Sequence, residues 1–317
     1  MAAASTGRLA PSPTGHLHLG HARSFLLAWW HARSRAGRIV LRLEDLDVER
    51  VKPGSIEDTR ADLEWLGLDW DGELWLQSEH AAAFDEAVAS LLARGLAYAC
   101  VCTRKEIAQA QSAPHESVAL AEKSRYPGTC RGRYASLEDA RRASGRDPAV
   151  RLLVEPGVLE LHDEFAGPFS VDVAAQTGDF PIARRAGAVA YQLAVVIDDA
   201  RQGVSEVVRG DDLLPSAARQ YLVQRALGLP HPRWWHVPLV TDAQGVRLAK
   251  RTDALSLAQL RARGVDPRAL IAWVARCSGM DAREPASARE LLPHFDMRKL
   301  PRDPVRIDAG ALVELGG

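Results

Sequence analysis

The stretch Arg8-Leu-Ala-Pro-Ser-Pro-Thr-Gly-His-Leu-His-Leu-Gly-His21 decides the reading of this chain. Gly7 to Ala10 reads as a short strand. Pro11, Pro13 and Gly15 then exclude regular structure and let the backbone come close to a ligand. From Ala22 the pattern turns helical: Phe25, Leu26, Trp29 and Trp30 fall on one face, and Gly37 stops the run. A helix N-terminus with free N–H groups attracts anions. His18 and His21 are three apart and share a face of that first turn. Two imidazole donors beside such an end suit a triphosphate and the charge that develops on it.

Working outward, Arg38–Leu43 (Arg-Ile-Val-Leu-Arg-Leu) is a strand that ends in Glu44-Asp45-Leu46-Asp47. Strand, helix and strand therefore span Arg8 to Leu43. Carboxylates at the end of the second strand fall where an open α/β sheet binds ligands. Ser55 reads as a helix cap with Asp58 three residues on, and Gly67 ends that helix. A second helix is predicted from Ser78 to Arg94, then a strand over Leu96–Cys102. Val150–Val154 and Val158–His162 read as strands. Tyr191–Ala200 reads as a buried helix, although its β-branched run also suits a strand. Glu206–Arg209 is a short buried strand, followed by a helix over Leu213–Leu227. This alternation predicts a doubly wound parallel α/β sheet. His236–Val240 is read as a further strand. Three helices are then expected, over Ser256–Arg263, from Pro267 to Cys277 with Asp266 as cap, and over Ser287–Phe295.

The chain has 317 residues, 47% of them hydrophobic and 26% charged, which is ordinary for a soluble globular protein with a sizeable core. Its net charge of −1 excludes a global basic field, so nucleic acid would have to meet local arginine clusters. One such cluster is Arg131, Arg133, Arg141, Arg142, Arg146 and Arg151, in a polar stretch that could hold RNA phosphates. The first residues have no charged segment followed by a long apolar one, so no signal peptide is expected, and no apolar run is long enough to span a membrane. Four cysteines do not make a disulfide scaffold here, and a cytoplasmic location is the default.

Cys100, Cys102 and Cys130 could supply three thiolates to a tetrahedral zinc ion. Bare chemistry offers His115 as the fourth ligand. Cys277 stands alone on an apolar helix face and reads as core. Further on, Asp242-Ala-Gln-Gly245 is a turn, and Arg247-Leu-Ala-Lys-Arg251 is a basic loop. A basic loop facing the histidine pair would neutralise charge on the outer phosphates of a nucleotide.

His18-Leu-Gly-His21 resembles the HIGH signature of class I aminoacyl-tRNA synthetases, with Leu19 in place of Ile. Arg8-Leu-Ala-Pro-Ser-Pro-Thr-Gly15 resembles the glutamyl subgroup of that family. Arg247–Arg251 resembles its KMSKS loop, with Arg247 for the first Lys and Ala249 for Ser, while Lys250 is retained. The resemblance covers nearly the whole chain. It implies a Rossmann-like catalytic domain in two halves, 1–99 and 151–240. It also implies a zinc-bearing insertion at 100–150 near the acceptor end of an RNA, and a signature loop with stem-contacting helices at 241–317.

The same resemblance implies roles for individual residues. His18, Gly20, His21, Arg247, Leu248 and Lys250 would meet ATP and its Mg²⁺, with His18, His21 and Lys250 catalytic. Arg8, Ser12, Glu44, Tyr191 and Arg209 would hold L-glutamate. Glu44 would take its amino group and Arg209 its side-chain carboxylate, a pairing arginine can make bidentate. Tyr126 would be the fourth zinc ligand with Cys100, Cys102 and Cys130, because zinc-bearing glutamyl enzymes carry Tyr-x₃-Cys there. Ordinary glutamyl enzymes continue into an anticodon-binding domain for which no sequence remains here. Truncated members load glutamate onto queuosine in tRNA(Asp), and that activity, in a monomer, is the expectation. The alternatives are charging of a tRNA 3′ end and a catalytically silent RNA-binding or regulatory module.

Overall fold

The computed structural model describes residues 5–111, 125–184, 188–242, 244–246 and 256–307. Arg247, Leu248, Ala249 and Lys250 of the basic loop, and His115, lie outside them. The first half runs β1 (Thr6–Leu9), α1 (Leu19–Arg33), β2 (Arg38–Leu43), α2 (Ser55–Trp65), β3 (Trp75–Leu76) and α3 (Ala81–Ala93). A middle section follows with β4 (Ala97–Cys100), α4 (Arg104–Gln111), α5 (Leu137–Ser144), β5 (Ala149–Leu152), β6 (Leu159–Asp163), β7 (Gly167–Val171), α6 (Val173–Gln176) and β8 (Pro181–Ala183). The rest is α7 (Tyr191–Arg201), β9 (Glu206–Gly210), α8 (Leu214–Leu227), β10 (Arg233–Val237), β11 (Val240–Thr241), α9 (Leu257–Ala262), α10 (Pro267–Arg276), α11 (Ala288–Leu291) and β12 (Val305–Arg306).

β1, β2 and β3 pair in parallel, as do β9 and β10. The two groups adjoin where Ser205 N–H donates to Thr6 O across 2.9 Å. The chain leaves β1 and β9 on either side of this junction, so a crevice opens at their C-terminal ends. The helix that crosses from β1 to β2 is buried along most of its length. Trp29 and Trp30 are fully enclosed, and each indole N–H finds an acceptor, at Asp69 Oδ1 (2.8 Å) and Ala288 O (2.8 Å). Burying such rings with their polar edges satisfied anchors α1, and with it the start of that helix, against the sheet.

The parallel pairing does not extend through the middle section. β4, β5 and β8 form an antiparallel sheet, and β6 and β7 a hairpin. The segment over Tyr191–Arg201 is helical, which resolves the two readings of its β-branched run: Leu193, Ala194 and Val195 are wholly buried in a second core.

Several local boundaries differ from the sequence reading. Ser55 is not a helix cap. Gly54 occupies that position with φ 77°, and the Ser55 hydroxyl lies 2.7 Å from Pro13 O and 2.6 Å from Lys52 O, tying α2 to the Pro/Gly loop. The helix expected from Ser78 starts at Ala81 after a 3-10 turn. Ser78 instead gives both N–H and hydroxyl to Asp45, at 2.8 and 2.6 Å. His236–Val240 is not one strand. β10 begins at Arg233 and stops at Val237, since Pro238 has no N–H to donate, and β11 pairs elsewhere, with β12. Pro293 likewise turns the end of the last predicted helix into a 3-10 turn after Leu291. Asp266 caps α10 as read, accepting from Arg268 N. Among the described residues, no helix is long and apolar enough to cross a membrane.

Candidate active site

A cavity of about 390 Å³ opens in the crevice. His18, His21, Arg8, Glu44, Tyr191 and Arg209 all line it. The strand ends, the start of α1 and the first residue of α7 bring these side chains together. Ser12 and Gly20 also border it.

His18 precedes α1 and caps it. Its Nδ1 accepts from Gly20 N–H at 3.1 Å, while its own N–H donates to His21 Nδ1 at 3.1 Å. Each Nδ1 is therefore an acceptor, which assigns the proton of each ring to Nε2. The ring centroids are 3.8 Å apart. The pair thus consists of two neutral imidazoles whose donor nitrogens point away from the helix backbone.

Arg8 and Glu44, which line the cavity, are braced by a buried charge network. Arg42, fully enclosed, donates from Nη1 to Asp199 Oδ1 (2.8 Å) and Gln202 Oε1 (2.9 Å), and from Nη2 to Glu44 Oε1 (3.4 Å). Asp199 also faces Arg8 Nε at 3.6 Å, and Arg8 Nη1 donates to Val208 O. Ser12 Oγ reaches Glu44 Oε2 at 3.5 Å. Burial pushes the Glu44 carboxyl above its ordinary pKa, against the pull of Arg42 and Arg8. Burial raises the Tyr191 phenol too, with Glu44 adding to the effect. Arg8 is shifted down, again by burial. Arg42 and Asp199 were missed in the sequence. Arg42 reads there as the polar member of a strand, and Asp199 as one acid within an apolar helix. Two consecutive acids in a run as apolar as Tyr191–Ala200 were the available signal.

The sulfurs of Cys100, Cys102 and Cys130 lie within 4.8 Å of one another. Cys102 Sγ and Cys130 Sγ are 3.4 Å apart, and Tyr126 Oη is 3.3 Å from Cys100 Sγ and 3.8 Å from Cys102 Sγ. The edge of a tetrahedral zinc–thiolate site is about 3.8 Å, so the donor set fits one ion. Burial pushes the Cys102 thiol up to about 12. Arg151, from β5, donates from Nε to Cys100 Sγ at 3.2 Å and stacks its guanidinium 3.7 Å from the Tyr126 ring centre. Its positive charge offsets part of the excess negative charge that three thiolates would carry. The arginines of the neighbouring stretch are largely paired: Arg131 with Asp179, Arg141 with Asp147, Arg142 with Asp139 and Arg146 with Glu106.

Parallel strands, a crevice at their ends and an imidazole pair at a helix start define a nucleotide-handling α/β protein. Residues 5–309 match the family model of class I tRNA synthetases (E and Q), catalytic domain. The glutamyl-Q tRNA(Asp) synthetase of Symbiobacterium thermophilum is 44% identical over 98% of this chain and 98% of its own length. That of Nocardia farcinica is 46% identical over 96% of this chain and 94% of its own. The crystal structure of a glutamate tRNA ligase from Elizabethkingia meningosepticum, in complex with its amino acid, superposes with a TM-score of 0.83. It is 28% identical and covers 98% of this chain and 68% of that one. The chain belongs to the class I tRNA synthetases, in the glutamate and glutamine branch, and is by that membership an ATP-using ligase.

Proposed function

We propose that this protein activates L-glutamate with ATP and transfers it to the queuosine base of tRNA(Asp). The observation that carries the activation step is one cavity holding both the imidazole pair and the Arg8, Glu44, Tyr191 and Arg209 cluster. The acceptor rests on relatives named glutamyl-Q tRNA(Asp) synthetase that align over nearly the full length of both chains.

In this reading Glu44 pairs with the substrate ammonium and Arg209 with its side-chain carboxylate. Arg8, Ser12 and Tyr191 complete the amino-acid pocket. The α-carboxylate oxygen attacks the α-phosphorus of ATP, the bond to the β-phosphate oxygen breaks, and pyrophosphate leaves; Mg²⁺ bound with ATP would offset the phosphate charge. His18 and His21 donate from Nε2 to the phosphates, beside Gly20 and the start of α1. Arg247, Leu248 and Lys250 act on the same phosphates from the basic loop. A hydroxyl of the acceptor base then attacks the glutamyl carbonyl, the acyl–phosphate bond breaks, and AMP leaves. No protein nucleophile is needed, so positioning and electrostatics carry the rate. Cys100, Cys102, Tyr126 and Cys130 would hold one zinc ion, whose contribution is to cross-link strand β4 to the Tyr126–Cys130 loop. The protein works as a monomer in the cytoplasm.

The test supplies labelled glutamate and ATP with tRNA(Asp) that carries or lacks queuosine. Label is expected only on the queuosine-containing tRNA, and on the base. Label as a 3′-terminal ester would favour tRNA charging, and no glutamate-dependent ATP–pyrophosphate exchange would favour a silent module.

A further inference from the structure

We infer that Asp163 and His236 form a relay that fixes the plane of Arg209, making them positioning residues for the choice of amino acid. The inference rests on the reading of Arg209 given above. Arg209 and His236 are direct partners in the parallel register of β9 and β10, so their side chains stand side by side on one face. Arg209 Nε lies 2.9 Å from His236 Nε2, and His236 Nδ1 lies 2.6 Å from Asp163 Oδ2. All three are buried, Asp163 completely.

The donor and acceptor roles are forced. Asp163 sits at the end of β6, where Oδ1 accepts Phe165 N–H (3.0 Å) and Ala166 N–H (2.7 Å), and both oxygens accept His236 N–H (3.2 Å each). Burial opposes its ionisation, but the hydrogen bonds from His236 and Ala166 outweigh this and hold its pKa below the usual carboxylate range. An ionised carboxylate only accepts, so His236 Nδ1 must donate. Arginine Nε only donates, so His236 Nε2 must accept. The ring is therefore the neutral Nδ1–H tautomer. Burial, with Arg209 beside it, also lowers the His236 pKa and favours this neutral form.

The guanidinium is planar, so holding its Nε–H in line sets the direction of both Nη groups. Arg209 borders the cavity, and its buried Nη2 has no hydrogen-bond partner among the described residues. The relay thus fixes the orientation of a guanidinium that borders the cavity and keeps one buried donor without a partner among the described residues, the donor a substrate carboxylate would satisfy. Asp163 comes from the β6–β7 hairpin, outside the cavity wall, so it acts only through its neighbours.

The experiment is glutamate-dependent ATP–pyrophosphate exchange with Asp163→Asn, His236→Gln, His236→Leu and Arg209→Lys. In Asp163→Asn the carboxamide keeps its shape and its Oδ1 contacts. Its Nδ2 donates to His236 Nδ1, which drives the ring proton to Nε2, against the Arg209 Nε–H. The KM for glutamate should rise about tenfold or more, with the KM for ATP unchanged. His236→Gln, which retains one donor and one acceptor, should recover part of what His236→Leu loses. A KM for glutamate that moves in Arg209→Lys but not in Asp163→Asn overturns the relay. If Arg209→Lys itself leaves that KM unchanged, the reading of Arg209 fails instead. Nitrogen-15 spectra of the histidine-labelled wild-type protein give a second readout that needs no variant to fold. A protonated Nδ1 at His236 is expected, and a protonated Nε2 would overturn the proposal.

Discussion

The backbone N–H of His18 donates to Nδ1 of His21 across 3.1 Å, so the first residue before helix α1 is held by the third residue within it. The two imidazoles cap the helix with one nitrogen each, Nδ1. His18→Ala or His21→Ala should therefore do two separable things. Exchange of pyrophosphate into ATP should fall by about 10²-fold or more, while the lost cap costs about 1 kcal/mol of stability. Paired exchange rates and thermal melts check this. A large loss of stability with little loss of exchange would make the pair structural.

Gly20 offers a test that removes no polar group. A Cβ built there would lie 3.0 Å from Cε1 and 3.1 Å from Nδ1 of the His18 ring. Gly20→Ala should push that ring aside and reduce exchange by roughly tenfold, from a misplacement of an ångström or less. Melting temperature should barely change.

The Glu44 carboxyl, raised by burial, must be ionised to meet an ammonium group. Its acid form prevails to a higher pH than that of a free glutamate side chain, at about 4.3. As pH falls, kcat/KM for glutamate should decline through this raised pKa, on a limb lying above that of the substrate's own carboxyls. Glu44→Gln should be weak throughout and should lack the limb. A limb that survives in the variant belongs to another group.

The cysteine cluster predicts one zinc per chain by elemental analysis. Cys130→Ala should abolish it and lower the melting temperature. Arg151→Met should retain stoichiometric metal but hold it more weakly, since a buried cation 3.2 Å from Cys100 Sγ is lost. Chelator competition measures that difference.

Asp62, on α2, is 1% exposed, and neither carboxylate oxygen has a hydrogen-bond partner among the described residues. Its nearest cation is Arg261 on α9, at 3.4 Å. Burial pushes its pKa up to about 6 from 3.8. The unfolded chain therefore releases this proton first, and folding stability falls as pH rises from about 4 to 6, then stays low. Asp62→Asn removes the effect. The variant should be more stable than the parent at pH 8, by roughly 2–3 kcal/mol, with the gain shrinking toward pH 4. Calorimetry at both pH values checks the sign.

What could be read from the sequence was whatever is local. The strand at Arg38–Leu43 and the cap at Asp266 depend on near neighbours, and both stand where they were read. Helix α1 begins at Leu19 rather than Ala22 because histidine supplies the cap, outside the usual serine, threonine, aspartate and asparagine signal. The residues expected around glutamate do share one cavity, since each lies near the C-terminal end of a strand, in the loop after it, or at the start of a helix at the crevice. Apart from the acid pair Asp198-Asp199, the groups that brace them left no signal in the sequence. Arg42, Asp199, His236 and Asp163 lie in apolar runs or hairpin ends, and only tertiary pairing gives them partners. The antiparallel β4–β5–β8 sheet was hidden for the same reason. Alternation marks a strand but does not say which strand it pairs with.

Arg8 and Val208 meet although 200 residues separate them, and His236 arrives later still. On the ribosome, β1 must therefore wait for most of the polypeptide before its neighbour β9 exists. Until then a segment as apolar as Leu26–Trp30 has only part of its final cover. Translation speed across the middle section thus sets how long that surface is open to chaperones or to aggregation.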